Sequence, residues 1–471
     1  MTELAEGPAV PKDDCPSLVA SSAGSLPAQW FSALRQKAAH PAVSNTAWIL
    51  LERVGRMGIA LVVGIVVVRY LGAERYGLYA YALTLAAIFV PLAGCGIGEN
   101  LIRHLVEKDA IEGKVLGTAC LLRAAAALLA VALTWSMFLV LPNKASMTSW
   151  DLAAALASMA ALPLMVLDPY FQSLSRSRVV TICGLAAGVL AAGLKIAGVM
   201  AAAPVAVFLA AHAVEAILLA TGLFSAYHLM GGRVILWGFD RSIATTLMRE
   251  GLPMILAGFA ILIYNQSDIL LLGLLRNDHD VGVYSAAVRL STLWLFLPMA
   301  IMTSAAPFLY RAQRSDENLY RCRLSVTMTC VVGISYLFAA AMSVFPEQLT
   351  MVVFGEDYVQ AAPVLRIHVW SNVFSMLGMS QSTWYVGRGL LWLGVRNTLV
   401  GASANLVLNL LVIPEYGPQG AAATTLMATA LTSIVLNSLD HRTAPLAKLQ
   451  MQAIALMGCW SSFRPTAPTQ R

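Results

Sequence analysis

The sequence predicts an all-α membrane protein of about 12 transmembrane helices, on three observations. Hydrophobic residues fill 58% of the 471 positions and charged residues only 12%, about half of the roughly 25% charged share of an ordinary soluble domain. The apolar residues gather in runs of about 20, the length a helix needs to cross a hydrocarbon core about 30 Å thick. Lys and Arg fall in alternate connections between those runs, as an even number of crossings with positive loops in the cytoplasm would leave them.

Taken in order, residues 1–44 are rich in Ser, Ala and Pro and read as a mobile cytoplasmic tail with no cleavable signal. Apolar runs near 45–68, 77–98, 115–141, 152–172, 179–200 and 204–227 make an N-terminal six-helix bundle over 45–227. A cytoplasmic connector follows at 228–249, with Arg233, Asp240, Arg241 and Arg249. Runs near 250–275, 281–308, 324–345, 361–385, 390–413 and 419–438 make a C-terminal six-helix bundle over 250–438. In the cytoplasmic tail, 439–471, the stretch from Leu446 to Trp460 carries Lys448 and two glutamines. It is too short to span and is expected to lie at the interface.

The basic residues set the orientation. The amino tail (Lys12, Arg35, Lys37) and the connections after the second run (Arg103, Lys108, Lys114) and the eighth (Arg311, Arg314, Arg321, Arg323) are positive. The alternate connections hold only Arg69, Arg75, Lys144 and Arg276. Both termini are therefore expected in the cytoplasm. The halves also repeat. Gly77-Leu-Tyr79 opens the second run and Gly282-Val-Tyr284 the eighth. Both open hairpins on the same side, which predicts parallel repeats about a pseudo-twofold axis along the membrane normal.

An ionisable group inside a spanning helix costs a few kcal/mol or more unless it is paired or faces water. Arg56 in the first run is four residues from Glu52, which allows a local pair. Lys195 in the fifth run and Glu215 with His212 in the sixth form another polar group. Asp268 closes a polar stretch, Tyr264 to Asp268, in the seventh run, with Arg289 and Arg366 as candidate partners. A structural salt bridge between helices is the plain alternative for each pair. Together Arg56, Lys195, Arg289 and Arg366 outnumber Glu215 and Asp268, so a water-filled cavity with this lining would attract an anionic headgroup such as a pyrophosphate. Arg123 and Asp168 read as anchors near helix ends.

The net charge of +6 comes from dispersed residues, not from a basic stripe or arm, which argues against nucleic acid. The seven cysteines are odd in number, lack a C-x-x-C spacing and read as small packing residues. There is no phosphate-binding glycine loop, metal-ligand cluster or nucleophile motif, so neither an enzyme nor a cofactor is expected.

Three stretches carry a family resemblance: Arg69-Tyr70-Leu71-Gly72 with Tyr76-Gly77-Leu78-Tyr79; Asp268 to Gly273 with Gly282 to Ala287; and Asn405 to Asn409 followed by Ile413-Pro414-Glu415-Tyr416-Gly417-Pro418-Gln419-Gly420. They resemble the Wzx-type oligosaccharide flippases, the polysaccharide-transport branch of the multidrug/oligosaccharidyl-lipid/polysaccharide (MOP) exporter superfamily, from about 45 to 440. The resemblance implies a MATE-like pair of six-helix bundles in a bacterial inner membrane, alternately opening a cationic cavity to either side. The implied cargo is an undecaprenyl-pyrophosphate-linked oligosaccharide for capsule, exopolysaccharide or O-antigen. Membrane lipids, a polysaccharide polymerase and a chain-length regulator are the implied neighbours, and H+ or Na+ the possible coupling ion. Some relatives carry two further carboxyl-terminal helices, where this sequence shows the short run at 446–460. Arg56, Asp268 and Arg289 are the positions expected to face the cavity. The competing readings are a cation-coupled multidrug antiporter of the same fold and a polytopic polysaccharide polymerase. The connection at 346–360 has no Lys, Arg or His with which a polymerase could work.

Overall fold

The computed structural model describes residues 41–107, 112–141 and 146–457, and among them there are helices and turns but no strand. The expected mobile tail lies almost entirely outside the described residues. Among the described residues nine helices are long and apolar enough to cross a membrane. Two of these hold two crossings each, because the chain reverses inside them, and Ala361–Gly387 is a further helix of spanning length with a more polar composition.

The reversals sit at glycines. In Pro41–Ala87, Gly72 takes φ 68°, a left-handed conformation that favours glycine. Gly64 and Tyr79 then line the same cavity, although along a straight helix they would stand about 22 Å apart. In Leu391–Ala430, Gly417 takes φ 54° between Pro414 and Pro418, and Thr424 folds back to donate a hydrogen bond to the Asn409 side chain. The chain therefore forms α1 (41–71), α2 (73–107, broken at 88–97), α3 (Glu112–Val140), α4 (Ser149–Ser173), α5 (Ser177–Met200) and α6 (Val205–Leu229). It continues as α7 (Arg241–Leu275), α8 (Asp278–Ser315), α9 (Glu317–Val344), α10 (Ala361–Gly387), α11 (391–416) and α12 (418–439). These are the twelve expected crossings. The first helical turns of α7 begin at Arg241, capped by the Asp240 carboxylate accepting from the Ser242 and Ile243 amides, so the connector between the halves is shorter than its polar sequence suggests.

After α12 comes α13 (Ala444–Ile454), 11 residues long, or about 16 Å, which cannot cross the bilayer. Its Leu446, Ala447, Gln450 and Ala453 are buried, and it is tied to α9 by the Tyr336 hydroxyl donating to the Ile454 carbonyl at 3.1 Å.

The halves meet closely at two places. At the Gly72 end, a Cβ on Gly77 would stand 1.7 Å from the Asp278 carbonyl oxygen, and one on Gly282 would stand 1.8 Å from the Ala73 carbonyl oxygen. At the opposite, basic end, Cβ atoms on Gly96 and Gly251 would stand 2.3 and 2.1 Å from the Gly251 and Cys95 carbonyl oxygens. One apolar core, including Leu71, Leu85, Leu272, Val283 and Tyr358, spans both bundles at the Gly72 end. Toward the basic end the bundles have separate cores, one around Leu116, Phe171 and Leu223 and the other around Tyr320, Leu377 and Trp384. The start of α7 joins the first of these through Ile243 and Leu247.

Candidate cationic cavity

Four of the sequence-predicted charges come together. A cavity of about 260 Å³ between α1, α2, α5, α6 and α8 is lined by Arg56, Lys195, Glu215 and Arg289, together with His212, Tyr76 and Tyr79. Glu215 is shared: its Oε1 lies 3.4 Å from Arg56 Nη2 and its Oε2 lies 3.5 Å from Lys195 Nζ. Arg289 crosses from the C-terminal half to donate from Nη2 to the Ala60 carbonyl of α1 at 2.6 Å. Gly64 leaves room for that crossing, because a Cβ there would stand 1.5 Å from Arg289 Nη2. Gly188 and Ala192 of α5 keep the facing wall small.

The side chains of Arg56, Glu215 and Lys195 keep 38%, 24% and 16% of their surface accessible, which suits a water-filled cavity more than a packed ion pair. The described lining residues bring three cations and one carboxylate to the cavity, a set able to bind an anion. Guanidinium and ammonium groups donate charge-assisted hydrogen bonds to phosphate oxygens, and arginine can do so in bidentate fashion.

Asp268, expected beside Arg289 or Arg366 and facing the cavity, is not among the lining residues. It is buried at 3% exposure and surrounded by neutral donors. Its Oδ2 accepts from the Tyr284 hydroxyl at 2.5 Å and the Thr425 hydroxyl at 2.6 Å, and its Oδ1 accepts from the Asn409 amide. Asn405 extends the cluster, accepting from Asn409 at 3.0 Å and from the Ser267 hydroxyl at 2.7 Å. The Arg289 side chain has turned across the molecular interface to α1, so it does not partner Asp268. Arg366 is exposed near the start of α10 and lines neither the cationic cavity nor the Asp268 cluster. Arg123, expected as an anchor at a helix end, is buried in α3.

The tyrosines of the repeat were the signal for residues that charge alone missed. Tyr79 lines the cationic cavity in the N-terminal half, whereas Tyr284, its counterpart, holds Asp268 in the C-terminal half. Asn405 and Asn409 lie four apart in an apolar run, a spacing that puts two polar groups on one helical face.

Comparison with known proteins agrees with this architecture. The model of a polysaccharide biosynthesis protein family matches residues 42–313, more than half of the chain, and the MatE family model matches residues 253–411. A probable low-salt glycan biosynthesis flippase of Haloferax volcanii, Agl15, is 23% identical over 230 residues, 44% of this chain and 47% of that protein. A probable flippase of the same organism, AglR, is 25% identical over 175 residues, 36% of this chain and 37% of that protein. The matches thus span less than half the length of these curated relatives. Among solved structures, the lipid II flippase MurJ in an inward closed conformation superposes with a TM-score of 0.66 at 11% identity, over 90% of this chain and 94% of MurJ. An inward-facing multidrug resistance MATE family transporter of the MOP superfamily gives 0.63 at 18% identity, over 85% of this chain and 95% of the other. At such identities the likeness establishes the fold, two MOP-type helical bundles. The chain is a multi-pass membrane protein that belongs to the polysaccharide biosynthesis protein family.

Proposed function

We propose that the protein flips a lipid-pyrophosphate-linked oligosaccharide across the membrane by alternating access. The cargo would be an undecaprenyl-linked repeat unit for capsule, exopolysaccharide or O-antigen, in an inner membrane with both termini cytoplasmic. A polymerase and a chain-length regulator would then act on the product. The observation that carries this reading is the gathering of Arg56, Lys195 and Arg289, with Glu215, on the lining of one cavity. Guanidinium and ammonium groups gathered on a water-accessible wall suit a phosphate-bearing ligand. In this reading the three cations hold the pyrophosphate while the isoprenoid chain stays in lipid.

A cation-coupled multidrug antiporter would need carboxylates open to a cationic drug. Glu215 is the one carboxylate among the lining residues, and two cations already engage it. A charge-assisted hydrogen bond contributes about 1.5–3 kcal/mol, or roughly a 10- to 100-fold change in an equilibrium. Replacing Arg56, Lys195 or Arg289 singly by Gln is therefore expected to lower polysaccharide export at least tenfold while the membrane level of the protein is unchanged on immunoblots. Normal export from all three variants would show that these cations have a structural role only.

A further inference from the structure

A second cavity, of about 250 Å³, lies within the C-terminal half between α7, α10, α11 and α12, and shares no lining residue with the cationic one. Its lining includes Tyr264, Asn265, Gln381, Thr398 and Thr432 and contains no charged side chain. We infer that this cavity is a subsite for a neutral sugar of the glycan cargo. The inference rests on the flippase reading and deepens it by assigning where the carbohydrate, as distinct from its phosphate, is recognised.

The hydroxyls of Thr398, Thr429 and Thr432 donate to the carbonyls of Gly394, Thr425 and Ala428 at 3.0, 2.8 and 3.0 Å, which leaves their oxygen lone pairs as acceptors, one of those on Thr432 facing the Tyr264 hydroxyl at 3.4 Å. Ser375 and Ser433 donate in the same way to Ser371 and Phe374. Gln381 Oε1 accepts from the Asn437 amide at 2.7 Å and lies 3.4 Å from Gln450 Nε2, so the Gln381 amide nitrogen is left to donate. Asn265 is exposed in the seventh helix and offers both a donor and an acceptor.

A wall rich in oxygen lone pairs repels a phosphate. Without a carboxylate it is also a weak site for an organic cation. Sugar hydroxyls donate and accept at once, and the ring of Tyr264 adds an apolar face for their C–H groups. The few placed polar groups in a concave site match general ligand-pocket anatomy.

The backbone is adapted at the same place. Residues Leu431–Val435 of α12 form a π-helical turn, a departure from α geometry that concentrates at functional sites, and it carries Thr432 and Ser433 into the cavity wall. Gly378 keeps the α10 wall low: a Cβ there meets Gln381 and Ser433 only at 3.8 Å. A Cβ at this position fits in ordinary contact, and the remainder of a larger side chain would take up space in the cavity it lines. Gln450 of α13 braces the lining residue Gln381, its Nε2 lying 3.4 Å from Gln381 Oε1, and its own Oε1 accepts from Asn437 at 3.2 Å.

The test uses the purified full chain in lipid nanodiscs with two probes. Farnesyl pyrophosphate reports the cationic cavity. A panel of free neutral sugars (glucose, galactose, mannose, rhamnose and N-acetylglucosamine), read by saturation-transfer NMR, reports the second cavity. Wild-type protein is expected to bind at least one sugar. Gly378→Leu and Asn265→Leu should each weaken that binding at least tenfold and leave farnesyl pyrophosphate binding intact, whereas Arg289→Gln should do the reverse. Sugar binding that is absent in the wild type, or equal in the wild type and both cavity variants, overturns the subsite. Loss of farnesyl pyrophosphate binding by the wild type, with sugar binding retained and sensitive to Gly378→Leu, would overturn the pyrophosphate role of the cationic cavity and leave the sugar site standing.

Discussion

Arg289 is held by a residue that has no side chain. Its guanidinium occupies the space that a Cβ on Gly64 would take, and from there it donates to the Ala60 carbonyl. Because the far end of a flexible arginine can swing aside, Gly64→Ala is expected to fold normally while pushing the guanidinium off Ala60. The account predicts export reduced at least tenfold, with a thermal unfolding midpoint in detergent within a few degrees of wild type. Unchanged export would mean that the position of Arg289 does not matter. At this scale the sequence disclosed which residues carry charge but not which way they turn. Arg56, Lys195, Glu215 and Arg289 were all legible as deep charges, and all four reach one cavity. Asp268 was equally legible, yet its partners are hydroxyls and an amide from α8, α11 and α12. Helical spacing reports the faces of a single helix, and which helices face each other is a tertiary fact.

At the scale of elements, the Gly-x-Tyr repeat becomes a contact. Gly77 and Gly282, at corresponding positions of the two halves, approach each other's backbone so closely that neither tolerates a Cβ. Here the obstructing atoms are carbonyl oxygens, which cannot swing away, so Gly77→Ala or Gly282→Ala has to separate α2 from α8 at the Gly72 end. In a background free of native cysteines, a reporter at Ile59→Cys, in the cavity lining, is expected to react at least tenfold faster with a membrane-impermeant maleimide added from the Gly72 side when either alanine is present. Equal rates would show that this contact does not close the cavity. The spans themselves were legible because hydropathy requires them. The limits of α7 were not, because Arg241 to Glu250 is a polar helical extension that reads as a loop when only the apolar run is followed.

Over the whole molecule, the bundles share one core at the Gly72 end and keep separate cores toward the basic end. A smaller closure remains at the basic end, where Gly96 meets Gly251 and Glu250 receives Arg103 at 2.6 Å and His104 at 3.0 Å. Arg103–Glu250 is an exposed pair of the kind that contributes about 0–1 kcal/mol, while His104 is buried and Ile243 and Leu247 of α7 pack into the N-terminal core. This closure is still smaller than the shared core at the Gly72 end and is the one more easily opened. The asymmetry fits a transporter whose cavity is sealed at one end and latched at the other, and it follows from packing that no single sequence displays. The most direct test of the central claim is the location of lipid-linked oligosaccharide in cells lacking this protein. Undecaprenyl-pyrophosphate glycans in spheroplasts would be probed with an externally added glycan-modifying enzyme. The account predicts complete repeat units that accumulate out of reach of the enzyme and become accessible when the gene is restored. Complete units already exposed on the outer face but left unpolymerised would contradict it and point to a role in polymerisation.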